Sequence, residues 1–254
     1  MTPVSTRDRL VPMSLTQRQT SILKHIVEEY IDTAKPVGSE TLDNKYNLGV
    51  SPATLRNEMS ALTESGFLKQ VHTSAGRTPT PLALRYYVTN IMEPKNLSVT
   101  DEVKIKEKVW DHRGQFERTM RDATADLAQR SKSLAIASDD QGDIFYAGAA
   151  NLLDMEEFFD VELMQKVLML LDHFEYLNQI FDRAGSDVST HVLVGDDLGI
   201  DYLNPCAVIF HRFGSVGKRH GVIGVFGPYR LNYQRLIPTV QYFGNMIDEM
   251  SCNW

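Results

Sequence analysis

No stretch of this sequence approaches the roughly 18 unbroken apolar residues that a membrane-spanning helix needs. The opening MTPVSTRDRLVPMS also lacks the apolar centre of a secretory signal peptide, so a cytoplasmic location is expected. Cysteine is nearly absent. Cys206 and Cys252 are far apart and in no CxxC pair, which argues against a disulfide framework or a zinc site and leaves two reduced, structural thiols. A basic excess is missing too, since 26 Lys and Arg face 33 Asp and Glu, for a net charge of -7.

That charge is unevenly spread. Residues 1 to 96 hold 11 basic against 9 acidic side chains, a balance of +2, and the remainder holds 15 against 24, a balance of -9. Phosphate binding needs local positive charge and not a basic protein, so the asymmetry leaves a nucleic-acid role open to the N-terminal part. With 254 residues, 43% of them hydrophobic and 23% charged, the chain has the balance of a globular protein of two domains.

The N-terminal pattern reads helix, helix, helix, hairpin, helix. Thr16 and Gln19 form a capping-box pair before a stripe of Ile22, Leu23, Ile26, Val27, Tyr30 and Ile31, and Pro36 ends that helix. A second helix is expected from Ser39 as N-cap, carrying Leu42 and Tyr46 inward, followed by a turn at Gly49. Ser51 and Pro52 are N-cap and first residue of a third helix that closes at Gly66. Its inward residues are Leu55, Met59 and Leu62, which puts Ala53, Arg56, Asn57, Ser60 and Glu64 on the far side. Residues 67–71 read as a strand, 72–76 as a hairpin tip, and Arg77 with Thr78 as the start of the return strand. Thr80 and Pro81 open another helix with Leu84, Tyr87 and Ile91 on one side.

The segment EPKNLSV at 93–99 reads as a linker. Beyond it, Ile105, Val109, Phe116, Met120 and Leu127 approach a heptad seam interrupted by Gly114, which suits either a long helix for self-association or one lying on its own domain. Strands are expected at 134–138, 144–147, 191–194, 207–211 and 222–226, with helix over most of 156–181 and over 232–250. The expected fold is α+β and multidomain. Residues 1–95 form a winged helix-turn-helix domain, 96–132 a linking amphipathic helix, and 133–254 an α+β domain with a mostly antiparallel sheet.

The major groove of B-DNA admits one helix, and in helix-turn-helix proteins the N-terminal residues of the second motif helix meet the base edges. Ser51, Ala53, Thr54, Arg56, Asn57 and Ser60 occupy that place here. Asparagine can pair bidentately with adenine, arginine with guanine or a phosphate, and Ala53 or Thr54 can touch a thymine methyl. On the wing, Lys69, His72, Thr73, Ser74 and Arg77 suit phosphates or the minor groove.

The segments KHIVEEYIDTAKPVGSETL, VSPATLRNEMSALTESGFL and HTSAGRTPT closely resemble the heat-inducible transcription repressor family HrcA. The stretches FYAGAANLLDMEEF at 145–158 and GVIGVFGPYRLNYQRLIPTVQY at 221–242 resemble the same family's GAF-like domain. The resemblance implies a repressor of chaperone operons that binds an inverted-repeat operator in double-stranded DNA as a homodimer and is kept active by the chaperonin GroEL. It makes 133–254 a reduced GAF-like regulatory and dimerisation domain. Family members carry an inserted dimerisation domain after the strand at 134–138, whereas only residues 139–144 stand there in this sequence, so the chain resembles a shortened form. The dimer interface is expected on the helix at 101–132, with an open edge of the reduced sheet as the alternative.

Catalysis finds little support, and no cofactor, metal or membrane partner is expected. Asp139, Asp140, Asp143, Asp196 and Asp197 sit in glycine-containing turns and read as solvated. His191, Cys206, His211 and His220 lack metal-ligand spacing. Two other readings stand beside the repressor: a sensor whose GAF-like domain binds a small effector, and a winged helix that contacts protein.

Overall fold

The computed structural model describes residues 4–6, 15–46, 48–70, 76–110, 114–185, 188–214 and 219–251. They fall into two compact bodies, one within residues 8–93 and the other within 94–254 together with the first strand, β1 (Val4–Thr6). That strand corrects the expectation of a domain running from residue 1, because β1 pairs in the second body's sheet. A three-residue strand carries no periodicity from which to read it.

In the first body, α1 (Gln17–Thr33) starts on the reciprocal cap between Thr16 and Gln19 and buries Ile22, Leu23, Ile26, Val27 and Tyr30. It ends at Ala34, whose φ of 58° is left-handed. Helix α2 (Ser39–Lys45) is capped by Gly38 and not by Ser39, whose buried hydroxyl is engaged elsewhere. The following turn uses Gly49 at φ 67°. Helix α3 (Pro52–Glu64) begins at Ser51, whose Oγ accepts the Thr54 amide at 3.2 Å, and runs out before Gly66 at φ 79°. Strands β2 (Leu68–Gln70) and β3 (Arg77–Pro79) form an antiparallel ladder, and Val37 bridges to Arg77 through two backbone hydrogen bonds of 2.9 Å. Gly76 is obligatory beside that bridge, since a Cβ there would come within 2.6 Å of the Val37 carbonyl. Helix α4 (Pro81–Tyr86) widens into a π turn at Tyr87–Ile91. Leu84 and Tyr87 are buried; Ile91 is only partly so.

The second body opens with α5 (Val99–Trp110) and α6 (Phe116–Ser131), two helices where one long helix was expected. Gln115 is extended, at φ -126°, and starts α6 afresh. The expected self-association seam is corrected as well. Ile105, Val109, Phe116, Met120 and Leu127 are buried within their own body, because α6 lies on the sheet and α5 lies on α6. Asp126, nearly fully buried, ties the two helices by accepting Lys108 Nζ at 2.8 Å and Arg130 Nε at 2.7 Å.

Strands β4 (Leu134–Asp139) and β5 (Ile144–Ala147) follow, then α7 (Val161–Leu171), α8 (Phe174–Asp182), β6 (Thr190–Val194), β7 (Cys206–Phe213), β8 (Gly221–Pro228) and α9 (Tyr233–Ser251). The helix expected over 156–181 is divided into a 3-10 turn at Glu156–Phe159 and the pair α7 and α8, with Asp160 capping α7 through the Glu162 and Leu163 amides. The sheet order is β1-β6-β7-β8-β4-β5, antiparallel throughout except where β1 joins β6 in parallel. This makes the chain α+β with a mostly antiparallel sheet.

Both sheet faces are covered. Leu134, Ile136, Leu193, Val208, Phe210 and Phe226 pack with Leu163, Val167, Leu170 and Ile180 of α7 and α8. Alternate strand positions such as Ala135, Ile209 and His211 are buried on the opposite face, where α6 and α9 lie; Gly244 of α9 leaves room for the His211 ring. Burial on both sides explains why these strands read as nearly continuous apolar runs.

Because Met120 is fully buried, Met120→Ala should destabilise the second body by about 2–5 kcal/mol. The sequence's two tryptophans, at 110 and 254, let urea unfolding be followed there by fluorescence. A loss within about 0.5 kcal/mol would indicate an exposed position.

Candidate nucleic-acid interface

Leu55, Met59 and Leu62 of α3 are at most 1% exposed, and their burial dictates which residues face outward. Ser51, Ala53, Arg56 and Asn57 are exposed, and Thr54 and Ser60 are half-buried. The hydroxyls of Ser51 and Thr54 lie 3.0 Å apart, and Ser51 also caps the helix, so these two side chains are engaged in starting α3. Ala53 and Asn57, four apart, stand on one side of it.

The two arginines are held by serines from neighbouring elements. Arg56 Nε donates to Ser39 Oγ of α2 at 3.2 Å, and its other end approaches Glu40 at 3.8 Å. Arg77 of β3 donates to Ser60 Oγ of α3 at 3.0 Å, while the Ser60 hydroxyl donates to the Arg56 carbonyl at 2.9 Å. Ser39, Glu40, Arg56, Ser60, Gln70 and Arg77 line one cleft of about 520 Å³. Lys69 is exposed on β2. His72, Thr73 and Ser74 lie outside the described residues.

A tie that sequence reasoning missed holds α2 in place. Glu29 of α1, 7% exposed, accepts Lys45 Nζ at 2.5 Å and Tyr46 Oη at 2.8 Å. The Lys45 hydrogen bond holds the Glu29 carboxyl below the ordinary carboxylate range, against the opposing effect of burial. Its signal was available, since Glu29 stands three residues after Ile26 on the buried side of α1 and a carboxylate there requires a partner.

In the second body the aspartates expected to be solvated are partly structural. Asp139 is buried and accepts Arg219 Nε and Nη2 at 2.9 and 2.7 Å and the Asp143 amide at 2.9 Å, closing the β4–β5 turn. Asp197 is buried and accepts the Val194 amide. His211 Nδ1 shares a hydrogen bond with Thr190, and His191 stacks on Phe210. Burial pushes the Cys206 thiol well above its ordinary pKa, which suits an unreactive core residue. Cys252 lies outside the described residues. Among the described residues no group of His, Cys, Asp or Glu is placed to hold a metal ion, and no helix is long and apolar enough to cross a membrane.

The profile of a family described as HrcA protein C terminal domain matches residues 85–237, more than half of the chain. The chain belongs to the HrcA family. It is a transcription repressor of the heat-inducible kind and not an enzyme. Among HrcA relatives, the heat-inducible transcription repressor of Desulforudis audaxviator is 27% identical over 330 positions, covering 91% of this chain and 96% of the relative. That of Carboxydothermus hydrogenoformans is 26% identical over 339 positions, covering 94% and 99%. Since 91% of 254 residues is about 231, about 100 of the 330 aligned positions hold residues of the relative alone. This HrcA chain is therefore shorter inside the aligned region. A crystal structure of a hypothetical protein shares the fold with a TM-score of 0.75 at 20% identity, over 93% of this chain and 98% of that one.

Because the folded-state pKa of Glu29 is lowered, the stability its tie contributes is complete above the unfolded value of about 4.3 and is lost as pH falls through the lower folded value. Amide-exchange protection of α2 should fall over that acid range. Glu29→Gln should weaken the protection by about 1–3 kcal/mol at neutral pH and remove the acid dependence.

Proposed function

We propose that the body within residues 8–93 is a winged helix-turn-helix that places α3 in the major groove of an inverted-repeat operator, with the β2–β3 hairpin as wing. The observation that carries this reading is the polar side of α3, turned outward because its other side is locked in the core. Asn57 is the base reader, suited to adenine, and Ala53 with Thr54 lies close enough to the groove floor to meet a thymine methyl. Lys69, His72, Thr73, Ser74 and Arg77 serve the backbone or the minor groove.

An inverted repeat is matched by a protein with two-fold symmetry, so the repressor acts as a homodimer. The second body is a reduced GAF-like regulatory and dimerisation domain. The target is the control region of chaperone operons, and heat releases repression when unfolded proteins compete for the chaperonin GroEL; the family membership supports both. An effector-sensing role gains nothing from a sheet whose two faces are filled by the domain's own helices.

Footprinting on promoter fragments with and without purified GroEL tests the reading. Protection of an inverted repeat upstream of chaperone genes is expected, and Asn57→Ala should reduce preference for that repeat over a scrambled duplex by about 1–3 kcal/mol. Protection without sequence preference would leave only generic DNA binding.

A further inference from the structure

We propose that the cleft between α2, α3 and the base of the β2–β3 hairpin seats one backbone phosphodiester of the DNA, and that Ser39 and Ser60 are positioning residues that aim Arg56 and Arg77 into it. The inference rests on the reading of the first body as DNA-binding. It assigns Arg56 to the backbone, where the sequence leaves guanine or a phosphate open, and moves Ser60 from a DNA contact to the support of one.

Four features converge on the cleft. Arg56 and Arg77 come from different elements yet line the same opening of about 520 Å³. Each guanidinium uses one donor on a serine hydroxyl, at 3.2 Å and 3.0 Å, which fixes its direction and leaves further donors of its fork without a hydrogen bond among the described residues. The Nε–H of Arg77 is buried and has no acceptor among the described residues, an arrangement a native fold avoids unless something else supplies the acceptor. Ser60 joins the two arginines, because its hydroxyl accepts from Arg77 and donates to the Arg56 carbonyl. The wing and α3 therefore present their cations as one unit.

A phosphate diester fits this arrangement in charge and geometry. It is a compact anion with two unesterified oxygens, and guanidinium forks bind such oxygens by charge-assisted hydrogen bonds. Glu40 is the present neighbour of Arg56, but its side chain is 83% exposed and 3.8 Å away, so it is a weak competitor that an incoming phosphate displaces. Such a contact fixes the register of α3 on the duplex without reading sequence.

The test measures binding of the full chain to two duplexes, one holding the promoter inverted repeat and one a scramble of it, across a range of salt concentrations. Ser60→Ala should weaken both by the same factor, on the order of tenfold, and lower the slope of log affinity against log salt by about 1. Ser60→Thr, which keeps the hydroxyl, should restore both values. Adding Ser60→Ala to Arg77→Ala should cost nothing further. Glu40→Gln, an exposed change, should tighten both duplexes severalfold.

A Ser60→Ala variant with the wild-type salt slope, or a Glu40→Gln variant with unchanged affinity, would overturn the phosphate seat while leaving the DNA-binding reading intact. Selective loss on the inverted repeat alone would make these residues base readers and overturn it too. Failure of the wild-type chain to bind either duplex would sink the DNA-binding reading along with it.

Discussion

The groove-reading role proposed for α3 requires that the helix's rotation about its own axis be fixed, and three side chains fix it. Leu55, Met59 and Leu62 are shut into the core of the first body, so each intervening residue has a settled direction. With about 100° between successive side chains, locking 55, 59 and 62 turns Ala53 and Asn57 to solvent and Ser60 toward the β2–β3 hairpin. Rotation by one residue would bury Arg56 and Ser60 without partners and expose the leucines. The ion pair of Glu29 with Lys45 acts one level further out, because it fastens α2, and α2 carries the serine that directs Arg56. The bridge between Val37 and Arg77 does the same for the β2–β3 hairpin.

Much of this was legible because its causes are local. The cap pair Thr16 and Gln19, the Ser51 and Pro52 start of α3, the left-handed glycines 49 and 66, and the buried faces of α1 and α3 each depend on residues within one or two turns. The illegible parts depend on partners far away in sequence. Ser39 reads as an N-cap because a serine before a helix usually is one; its hydroxyl instead meets Arg56, 17 positions on, and Gly38 takes the cap. Ser60 reads as a groove contact because it lies on the outward side, and its partner Arg77 is another 17 positions ahead. No spacing rule within a helix links such pairs. Glu29 is the intermediate case, since its position on an apolar face announces that a partner exists and does not name it.

The second body shows how a correct pattern can carry a wrong consequence. The heptad-like spacing of Ile105, Val109, Phe116, Met120 and Leu127 does mark buried positions, but a periodic apolar face does not specify what covers it. Here the body's own sheet, and α5 lying on α6, cover it, with Asp126 joining Lys108 and Arg130 where the two helices meet. Asp139 departs from its expected exposure for a related reason. Carboxylates in glycine-containing turns are usually solvated, but this one closes its turn with the Asp143 amide and meets an arginine 80 positions away. Although about 100 positions of its relatives have no counterpart in it, the chain keeps a six-stranded sheet covered on both faces.

Net charge remains the feature that most obscures the function, and its resolution is one of distance. At physiological salt the Debye length is about 8 Å, so a phosphate responds to the groups that touch it far more than to the summed charge of the chain. At the cleft that local account holds two guanidiniums, both directed by serines, against the exposed carboxylate of Glu40. Fixed direction matters as much as sign, because a guanidinium already oriented loses less rotational freedom when it binds. A net charge of -7 is therefore compatible with the phosphate seat proposed at this cleft, while the -9 of residues 97–254 disfavours adhesion to nucleic acid elsewhere on the surface.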